Sequence, residues 1–345
     1  MNDGQAPSHA RAKESCDDQR IFYEFRRARS QEADRVVTNH YSLSRDAVGA
    51  REGHKFWRFR CLRKMRSTST TRAVTFIQHQ DNIVPFTHLD IGGPVATLSL
   101  DHAGGNRINF DMRVELREAF QRIEKSPARA LLIRGEGGDF CLGGDIRDWP
   151  GTPAEILRPK IQVFAEALDH LERLPIPTIA AVQGGCMGGG LELALSCDLM
   201  LAAKSARFAF PEARVGIVTL QGGMMQIAER VGSAKAAEMV FLSEPATAEQ
   251  MLQWNVVNWV VDDAEFESQA AALATRLAEG PTKAFAATKA LWRMQAEEGV
   301  KTAKAKLYDL SMPLFETEDA RTALRNAAEA INAGKPFPTA SFAGK

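Results

Sequence analysis

Residues 184–198, GGCMGGGLELALSCD, place a run of glycines directly before an acidic residue in an otherwise apolar helix. Glycine inside a helix costs about 1 kcal/mol relative to alanine, so the run must serve another purpose. The pattern predicts a backbone N–H near Gly189 that approaches a ligand, with the Glu192 carboxylate one turn later on the same helix. The alternative is a glutamate that only reaches solvent, which the leucines around Glu192 make less favourable.

Two further loops contain residues of the same kind. The first, residues 135–149 (GEGGDFCLGGDIRDW), follows an apolar strand, and its glycines permit a turn whose N–H groups point outward. The second, residues 206–223, places Glu212 at the tip of a strand with alternating aromatic residues. Each loop taken alone also fits an ordinary connector without a catalytic role.

Together the three segments offer two glycine-lined N–H donors and two carboxylates. Two N–H groups that converge on one oxygen form an oxyanion hole. Two carboxylates on either side of a water molecule can accept and donate protons. The combination suits proton transfer beside a carbonyl that becomes an enolate, and a thioester is a good candidate because its α-proton is acidic.

Other chemistries fit the sequence less well. A phosphate-binding loop needs Lys directly after G-x-x-x-x-G, but Gly190 and Leu191 occupy that place. The dinucleotide pattern G-x-G-x-x-G fails because Leu193 replaces its last glycine. G-x-S-x-G is absent, and no paired His or Cys spacing indicates a metal site. The five cysteines are scattered without a C-x-x-C pair, which favours a reducing, cytoplasmic compartment.

The segments between these loops alternate between strand patterns and helix patterns, which predicts βαβ crossovers and a parallel sheet in an α/β fold. From GMMQIAERVG onward the helical period dominates, which predicts a cap or a surface that packs on a partner subunit. The strand patterns include ALLIRG, PIPTIAAVQG and LMLAAKSARFAF, and the helix patterns include DMRVELREAFQRIEKS and KIQVFAEALDHLERL.

Residues 1–72 have a different composition, with 16 Lys and Arg against 9 Asp and Glu and no sustained hydrophobic period. We expect a basic, largely disordered extension, with the ordered protein beginning near Ala73. Early acidic residues argue against a transit peptide, and Met65 is an alternative start. We expect a solvated tail without a nucleic-acid or membrane partner. No run of the chain reaches the roughly 18 apolar residues of a membrane helix.

The chain from about residue 73 to 345 resembles the enoyl-CoA hydratase/isomerase (crotonase) superfamily. The resemblance rests on NRINFDM, FCLGGDI, AAVQGGCMGGGLELALSCDLMLAA and ARFAFPEARVGI, which occur in the family's order and approximate spacing. It implies an α/β fold, with a crotonase-like spiral of ββα units over residues 73–275 and a helical C-terminal region over residues 276–345. It also implies an acyl-CoA substrate, assembly as a homotrimer or hexamer, no metal, and no cofactor besides the coenzyme A of the substrate.

The resemblance further implies roles for single residues. The N–H groups of Gly144 and Gly189 would form the oxyanion hole. Glu192 and Glu212 match the two glutamates of hydratases, which both hold the attacking water. Glu192 would act mainly as its base, and Glu212 would supply the proton at the α-carbon. A neighbouring carboxylate and partial burial should raise one pKa of the pair. The implied substrate-binding residues are Asn106 and Arg107 beside the CoA moiety, Gly144, Asp145, Ile146 and Arg147 along the acyl-CoA channel, and Gly189.

The stretch after Gly216 departs from the family pattern. Hydratases often have Pro and a run of small residues there, whereas this chain has IVTLQGG at 217–223. Leu220 and Gln221 are bulkier and should reshape the acyl pocket. Because both glutamates are present, we expect a 2-enoyl-CoA hydratase. A double-bond isomerase or another acyl-CoA lyase of the superfamily is the alternative. A third interpretation is a non-catalytic relative that binds RNA or a partner protein through its basic tail.

Overall fold

The computed structural model describes residues 85–338 and 340–345 of the 345-residue chain. The predictions for the basic extension 1–72 and for an ordered start near Ala73 lie outside the described residues. Within them, strands and helices alternate as far as residue 261, and helices follow as far as residue 332. The alternation predicted from the sequence is therefore present.

A mainly parallel sheet forms the centre of the fold. Among the described residues it has six strands in the order β1-β2-β3-β4-β6-β9, and only β1 and β2 pair antiparallel. A smaller sheet has the order β5-β7-β8. The strands are β1 (Thr87–Asp90), β2 (Val95–Leu100), β3 (Ala130–Gly135), β4 (Thr178–Val182), β5 (Gly185–Met187), β6 (Leu199–Ala203), β7 (Arg207–Ala209), β8 (Ala246–Thr247) and β9 (Trp259–Val261).

The segment LMLAAKSARFAF, predicted as one return to strand, divides into β6 and β7, which belong to different sheets. A turn separates them, closed by the Ala206 N–H donating to the Ala203 carbonyl at 2.9 Å. Lys204 and Ser205 lie in the turn and are exposed, whereas Ala206 and Phe208 after it are buried as fully as the strand residues before it. Because only two polar residues interrupt the apolar pattern, the sequence resembles one continuous strand.

The helices cover both faces of the main sheet and form the C-terminal region. Asn109 caps α1 by accepting a hydrogen bond from the Met112 N–H at 2.8 Å. The second helix begins six residues before the predicted segment, and Pro159 lies in its second turn, where only one intrahelical bond is lost. The helices are α1 (Phe110–Glu124), α2 (Ala154–Arg173), α3 (Gly189–Leu195), α4 (Gly223–Val231), α5 (Ser233–Leu242), α6 (Ala248–Gln253), α7 (Phe266–Ala278), α8 (Thr282–Glu298), α9 (Val300–Ser311) and α10 (Glu318–Asn332).

Two apolar clusters bury the main sheet from opposite sides. Leu131 and Ile133 of β3 face the larger cluster, which includes side chains of α1, α2 and α3. Leu132, between them, faces the smaller cluster together with Phe266 and Leu273 of α7. This alternation is the period of two expected for a strand covered on both faces. The predicted boundary between residues 275 and 276 falls within α7.

The C-terminal helices α8, α9 and α10 leave large apolar side chains exposed in the single chain. Trp292 and Tyr308 are 66% and 70% exposed, and Leu324 and Ile331 are more than half exposed. None of the helices in residues 85–338 combines the length and the apolar character required to cross a bilayer.

Candidate active site

A cavity of about 410 Å³ opens where three loop segments of the fold meet. Its walls come mainly from residues 142–149, which follow β3, from 187–192, which include the start of α3, and from 209–221, which follow β7. Arg113 of α1 and Phe164 of α2 close one side. The three loops that the sequence singled out therefore meet at one place.

Backbone pairing brings the first two loops together. The Cys141 N–H donates to the Gly185 carbonyl at 3.0 Å, and the Met187 N–H donates to the Cys141 carbonyl at 2.9 Å. Ile108 and Gly144 form a further parallel bridge. These bonds extend the smaller sheet and place residue 144 next to the first residue of α3.

The N–H groups of Gly144 and Gly189 lie beside each other in the cavity wall. A Cβ atom built on Gly189 would lie 3.5 Å from the Gly144 nitrogen, and one built on Gly143 would lie 3.5 Å from the Gly189 nitrogen. Gly189 is the first residue of α3, so its N–H has no acceptor within the helix. The two nitrogens thus lie close together in the cavity wall, and their joint role as an oxyanion hole stays a prediction.

Glycine is required at position 188 for two reasons. Its φ of +50° lies in the region that side chains other than glycine rarely adopt. A Cβ atom there would also lie 2.5 Å from Oε1 of Glu212. The glycine run therefore lets the chain turn into α3 and lets the Glu212 carboxylate approach the start of that helix.

Glu192 is held tightly in the cavity wall. Its side chain is 2% exposed, and its Oε1 accepts the N–H of Gln221 at 2.8 Å and that of Gly223 at 3.0 Å. Burial raises the pKa of Glu192 above its ordinary value, while the two N–H groups and the charge of Arg113 act in the opposite direction. The carboxylate form is thus directly stabilised by two backbone donors.

Glu212 occupies a different environment. It lies in a 3₁₀ turn over Pro211–Val215, directly after β7, and its Oε2 is buried without a hydrogen-bond partner among the described residues. Burial raises the pKa of Glu212 to about 7, and the charge of Glu192 adds to this rise. A carboxyl group with this pKa is protonated in about half of the molecules near neutral pH. Glu212 can therefore act as a proton donor, while the Glu192 carboxylate can accept a proton from another group in the cavity.

The other predicted site residues divide into two groups. Arg107 and Ile146 line the cavity, and Arg107 donates to the Leu142 carbonyl at 3.0 Å. Asp145 and Arg147 form an ion pair, which lowers the pKa of Asp145 to about 2, and neither lines the cavity. Their contact with substrate stays a prediction.

Asn106 also lies outside the cavity wall and is almost completely buried. Its amide nitrogen donates to the Glu136 and Asp139 carbonyls at 2.9 and 2.8 Å, and its Oδ1 accepts the His102 N–H at 2.9 Å. These bonds hold the loop before Arg107 in place, and Asn106 itself has a φ of +54°. The geometry indicates that Asn106 positions a loop, and its predicted contact with CoA stays a prediction.

The sequence reasoning missed several residues of the cavity. Arg113 belongs to the inner face of α1 because Leu116 and Phe120, three and seven positions later, are fully buried. That spacing was visible in the sequence. Trp149 and Phe164 pack beside Arg113, with the guanidinium carbon 5.6 and 6.0 Å from the ring centres.

Comparison with known proteins gives a consistent result. A family model described as enoyl-CoA hydratase/isomerase matches residues 90–332. A carnitinyl-CoA dehydratase from Proteus mirabilis is 33% identical over 242 residues, which are 68% of this chain and 91% of the relative. The residues matched by the family model include all three loops of the cavity.

Two solved structures share the fold. A protein described as an enoyl-CoA hydratase/carnithine racemase from Magnetospirillum magneticum is 30% identical, with a TM-score of 0.65, covering 75% of this chain and 98% of its own. An enoyl-CoA hydratase from Mycobacterium smegmatis is 25% identical, with a TM-score of 0.67, covering 74% of this chain and 99% of its own. The predicted α/β fold of this superfamily, with a helical C-terminal region, is confirmed.

Proposed function

This chain belongs to the enoyl-CoA hydratase/isomerase family, and from that premise we propose that it adds water across the 2,3 double bond of an acyl-CoA thioester. The observation that carries the proposal is one cavity with two carboxylates in different environments beside two adjacent backbone N–H groups. Adding water needs one group that takes a proton from the water and another that gives a proton to the α-carbon, so both glutamates have a use. Moving a double bond needs only one acid–base group.

The first part of the mechanism is polarisation of the thioester. Its carbonyl oxygen accepts hydrogen bonds from the N–H groups of Gly144 and Gly189. As the β-carbon is attacked, negative charge moves to this oxygen and the substrate becomes an enolate. Donors already fixed by the backbone stabilise that charge without reorganising during the reaction.

The second part is transfer of two protons. Glu192, as the carboxylate, takes a proton from the water while the water oxygen bonds to the β-carbon. Glu212, as the carboxylic acid, gives its proton to the α-carbon, and the product is a 3-hydroxyacyl-CoA. The pair holds one proton before and after the step, so the same residues catalyse the reverse dehydration. This agrees with the relative from Proteus mirabilis, which is named a dehydratase.

The proposal includes the rest of the functional assembly. Coenzyme A enters as part of the substrate beside Arg107 and Ile146, and no other cofactor takes part. The exposed apolar side chains of α8 to α10 support assembly with further copies of the chain. The number of subunits, a multiple of three, is what the resemblance to the family implies. Light scattering at micromolar concentration should give a trimer or hexamer mass, and a monomer mass would contradict this part. A cytoplasmic location, favoured by the free buried thiols Cys141, Cys186 and Cys197, completes the proposal.

A panel of acyl-CoA thioesters tests the reaction. The full chain is incubated with 2-enoyl-CoA and 3-enoyl-CoA compounds of several lengths and end groups. The products are separated by chromatography beside standards of each double-bond isomer and identified by mass spectrometry. We expect a gain of one water molecule on 2-enoyl-CoA. Movement of the double bond with no hydration of any 2-enoyl-CoA would favour the isomerase. Absence of turnover on the whole panel would favour the non-catalytic interpretation.

A further inference from the structure

Arg113 is a buried cation in the wall of the cavity, and the proposed mechanism does not use it. The residue is 2% exposed, and its guanidinium faces the same space as Glu192. Burying a charge is costly unless it is paired and hydrogen-bonded. The question is therefore what satisfies this guanidinium when the enzyme is at work.

The protein itself satisfies Arg113 poorly. Its Nε is buried without a partner among the described residues, and its Nη1 makes one long hydrogen bond of 3.5 Å to the Lys160 carbonyl. Within residues 85–338 and 340–345, no ion pair within 4.0 Å includes it. Its neighbour in the cavity wall, Trp149, likewise has a buried Nε1–H without an acceptor. Two residues of the cavity wall thus each hold a buried N–H group that has no acceptor among the described residues.

The charge around Arg113 selects the kind of acceptor. The guanidinium carbon lies 5.3 Å from the ring centre of Phe110, and the Lys160 ammonium lies 4.8 Å from the same ring. Aromatic faces that could hold an ammonium group on a substrate already hold these two cations. The Glu192 carboxylate in the same wall offsets part of this positive charge. Directly beside Arg113 and Lys160, a second positive charge would still be repelled and an anion attracted.

Arg113 also lies close to the reacting end of the substrate. Its Nη2 is 3.5 Å from the position that a Cβ atom on Gly144 would occupy. The Gly144 N–H is one of the two proposed donors to the thioester oxygen. A short acyl chain is therefore enough to reach from the oxyanion hole to the guanidinium.

Resting on the proposed function, we infer that Arg113 binds a carboxylate at the far end of a short acyl chain, so that the substrate is the CoA thioester of a dicarboxylic acid. The planar guanidinium can bind both oxygens of a carboxylate at once. The resulting hydrogen bonds are stronger and more specific in direction than those to a neutral oxygen. Trp149 supplies a further donor to the same anion.

The protonation state of Arg113 is consistent with this role. Burial lowers the pKa of Arg113 to about 10, and the charge of Glu192 partly opposes the change. The side chain therefore keeps its positive charge near neutral pH.

Binding of unreactive thioesters tests the inference without any turnover. Calorimetry compares glutaryl-CoA, which ends in a carboxylate, with pentanoyl-CoA, which ends in a methyl group. We expect the wild type to bind glutaryl-CoA at least about tenfold more tightly, the scale of hydrogen bonds to a charged group. A 4-(trimethylammonio)butanoyl thioester of CoA, which carries a cation and has no 3-hydroxyl group to eliminate, should bind more weakly than pentanoyl-CoA.

Three variants identify the residue responsible. Arg113→Met should abolish the preference for glutaryl-CoA while pentanoyl-CoA binding is kept. Arg113→Lys should keep the charge but only part of the preference. The matched control Arg122→Met removes an exposed positive charge from the same helix and should leave the preference intact. If Arg113→Met does not fold, the wild type and Arg113→Lys still decide the result.

Several outcomes would overturn the inference. They are a wild type that binds the two thioesters equally, a preference that survives in Arg113→Met, and the trimethylammonio thioester binding as tightly as glutaryl-CoA. A role of Arg113 through Glu192 alone would lower hydration of all 2-enoyl-CoA compounds equally and leave the binding ratio unchanged. Because the ratio is measured on thioesters that cannot be hydrated, failure of the hydratase proposal is detected separately, by the panel of enoyl-CoA substrates.

Discussion

Glu192 and Glu212 are two carboxyl groups in one cavity, and the backbone treats them differently. Glu192 projects from a helix and accepts two N–H groups from the turn before α4. Glu212 projects from a 3₁₀ turn, and one of its oxygens is buried with no hydrogen-bond partner among residues 85–338 and 340–345. Two backbone donors therefore oppose the rise that burial causes in the pKa of Glu192, whereas burial and the charge of Glu192 together raise the pKa of Glu212 to about 7.

This difference teaches how one reaction can use two chemically identical groups as base and acid. Neither residue type nor sequence position distinguishes them, because both are glutamates near glycine-rich turns. The number of donors that each receives distinguishes them, and those donors come from backbone that the rest of the fold positions. Breaking one environment at a time should therefore remove one function at a time.

The largest effect is expected from removing the carboxyl groups themselves. Glu192→Gln and Glu212→Gln should each lower kcat for hydration by about 10² to 10⁴, the usual contribution of a general acid or base. The double variant should lose much less than the product of the two single losses, because both residues act on one water. The control Glu172→Gln changes another carboxyl of raised pKa, one outside the cavity wall, and should keep full activity. Strictly multiplicative losses would contradict joint action on one water.

A smaller effect is expected from disturbing the surroundings of each carboxyl. A Cβ atom on Gly223 would lie 2.6 Å from the Cγ of Glu192, and one on Gly188 would lie 2.5 Å from the Oε1 of Glu212. Gly223→Ala and Gly188→Ala should each lower kcat by up to about 10², since displacements near 1 Å cost that much. Gly138→Ala, where a Cβ meets open space, should have wild-type kcat. Wild-type turnover in both cavity variants would show that neither carboxyl needs its present position.

The pH dependence should report the single proton of the pair. The pKa of Glu212 is raised to about 7, so the pair loses its last proton as the pH rises through that value. Because the active pair holds one proton, kcat/KM for hydration should fall about tenfold per pH unit above this pKa. Dehydration should show the same fall, since both directions use the same protonation state. The residual kcat/KM of Glu212→Gln should not show this fall above pH 7, which we call the pH limb. An activity that instead rises through pH 7 would contradict the assignment of Glu212 as the acid.

The smallest effect is expected from the basic extension. Its composition shows no sustained apolar pattern, so residues 1–64 are predicted to contribute nothing to catalysis. A chain that begins at Met65 should keep the turnover, the pH limb and the Tm of the full chain. A large loss of any of the three would mean that the extension belongs to the fold or the site.

The sequence was sufficient for those features that leave a local pattern. Alternating strand and helix periods predicted the sheet and the helices that cover it, and glycines beside Glu192 marked the loop at the start of α3. The partners of Glu192 were not predictable in this way. The N–H groups of Gln221 and Gly223 lie 29 and 31 residues away along the chain and reach it only through the turn geometry.

Arg113 and Asn106 show the two other limits of the sequence. Arg113 has the helical spacing of the buried residues Leu116 and Phe120. Because arginine is charged, the sequence alone nevertheless suggests that it belongs to the solvent-exposed face of the helix. The resemblance predicts Asn106 beside CoA, and that contact stays a prediction. The hydrogen bonds from its amide to the Glu136 and Asp139 carbonyls join residues 30 and 33 positions apart, which no local sequence pattern marks.

Exchange of the α-proton of a saturated acyl-CoA with deuterated solvent tests the division of labour most directly. This exchange needs the oxyanion hole and the group that serves the α-carbon, but it needs no attacking water. Glu192→Gln should therefore lose hydration by about 10² or more and still exchange the α-proton near the wild-type rate, whereas Glu212→Gln should lose both activities. Hydration at the wild-type rate in Glu192→Gln, or continued exchange in Glu212→Gln, would contradict the assignment of base and acid.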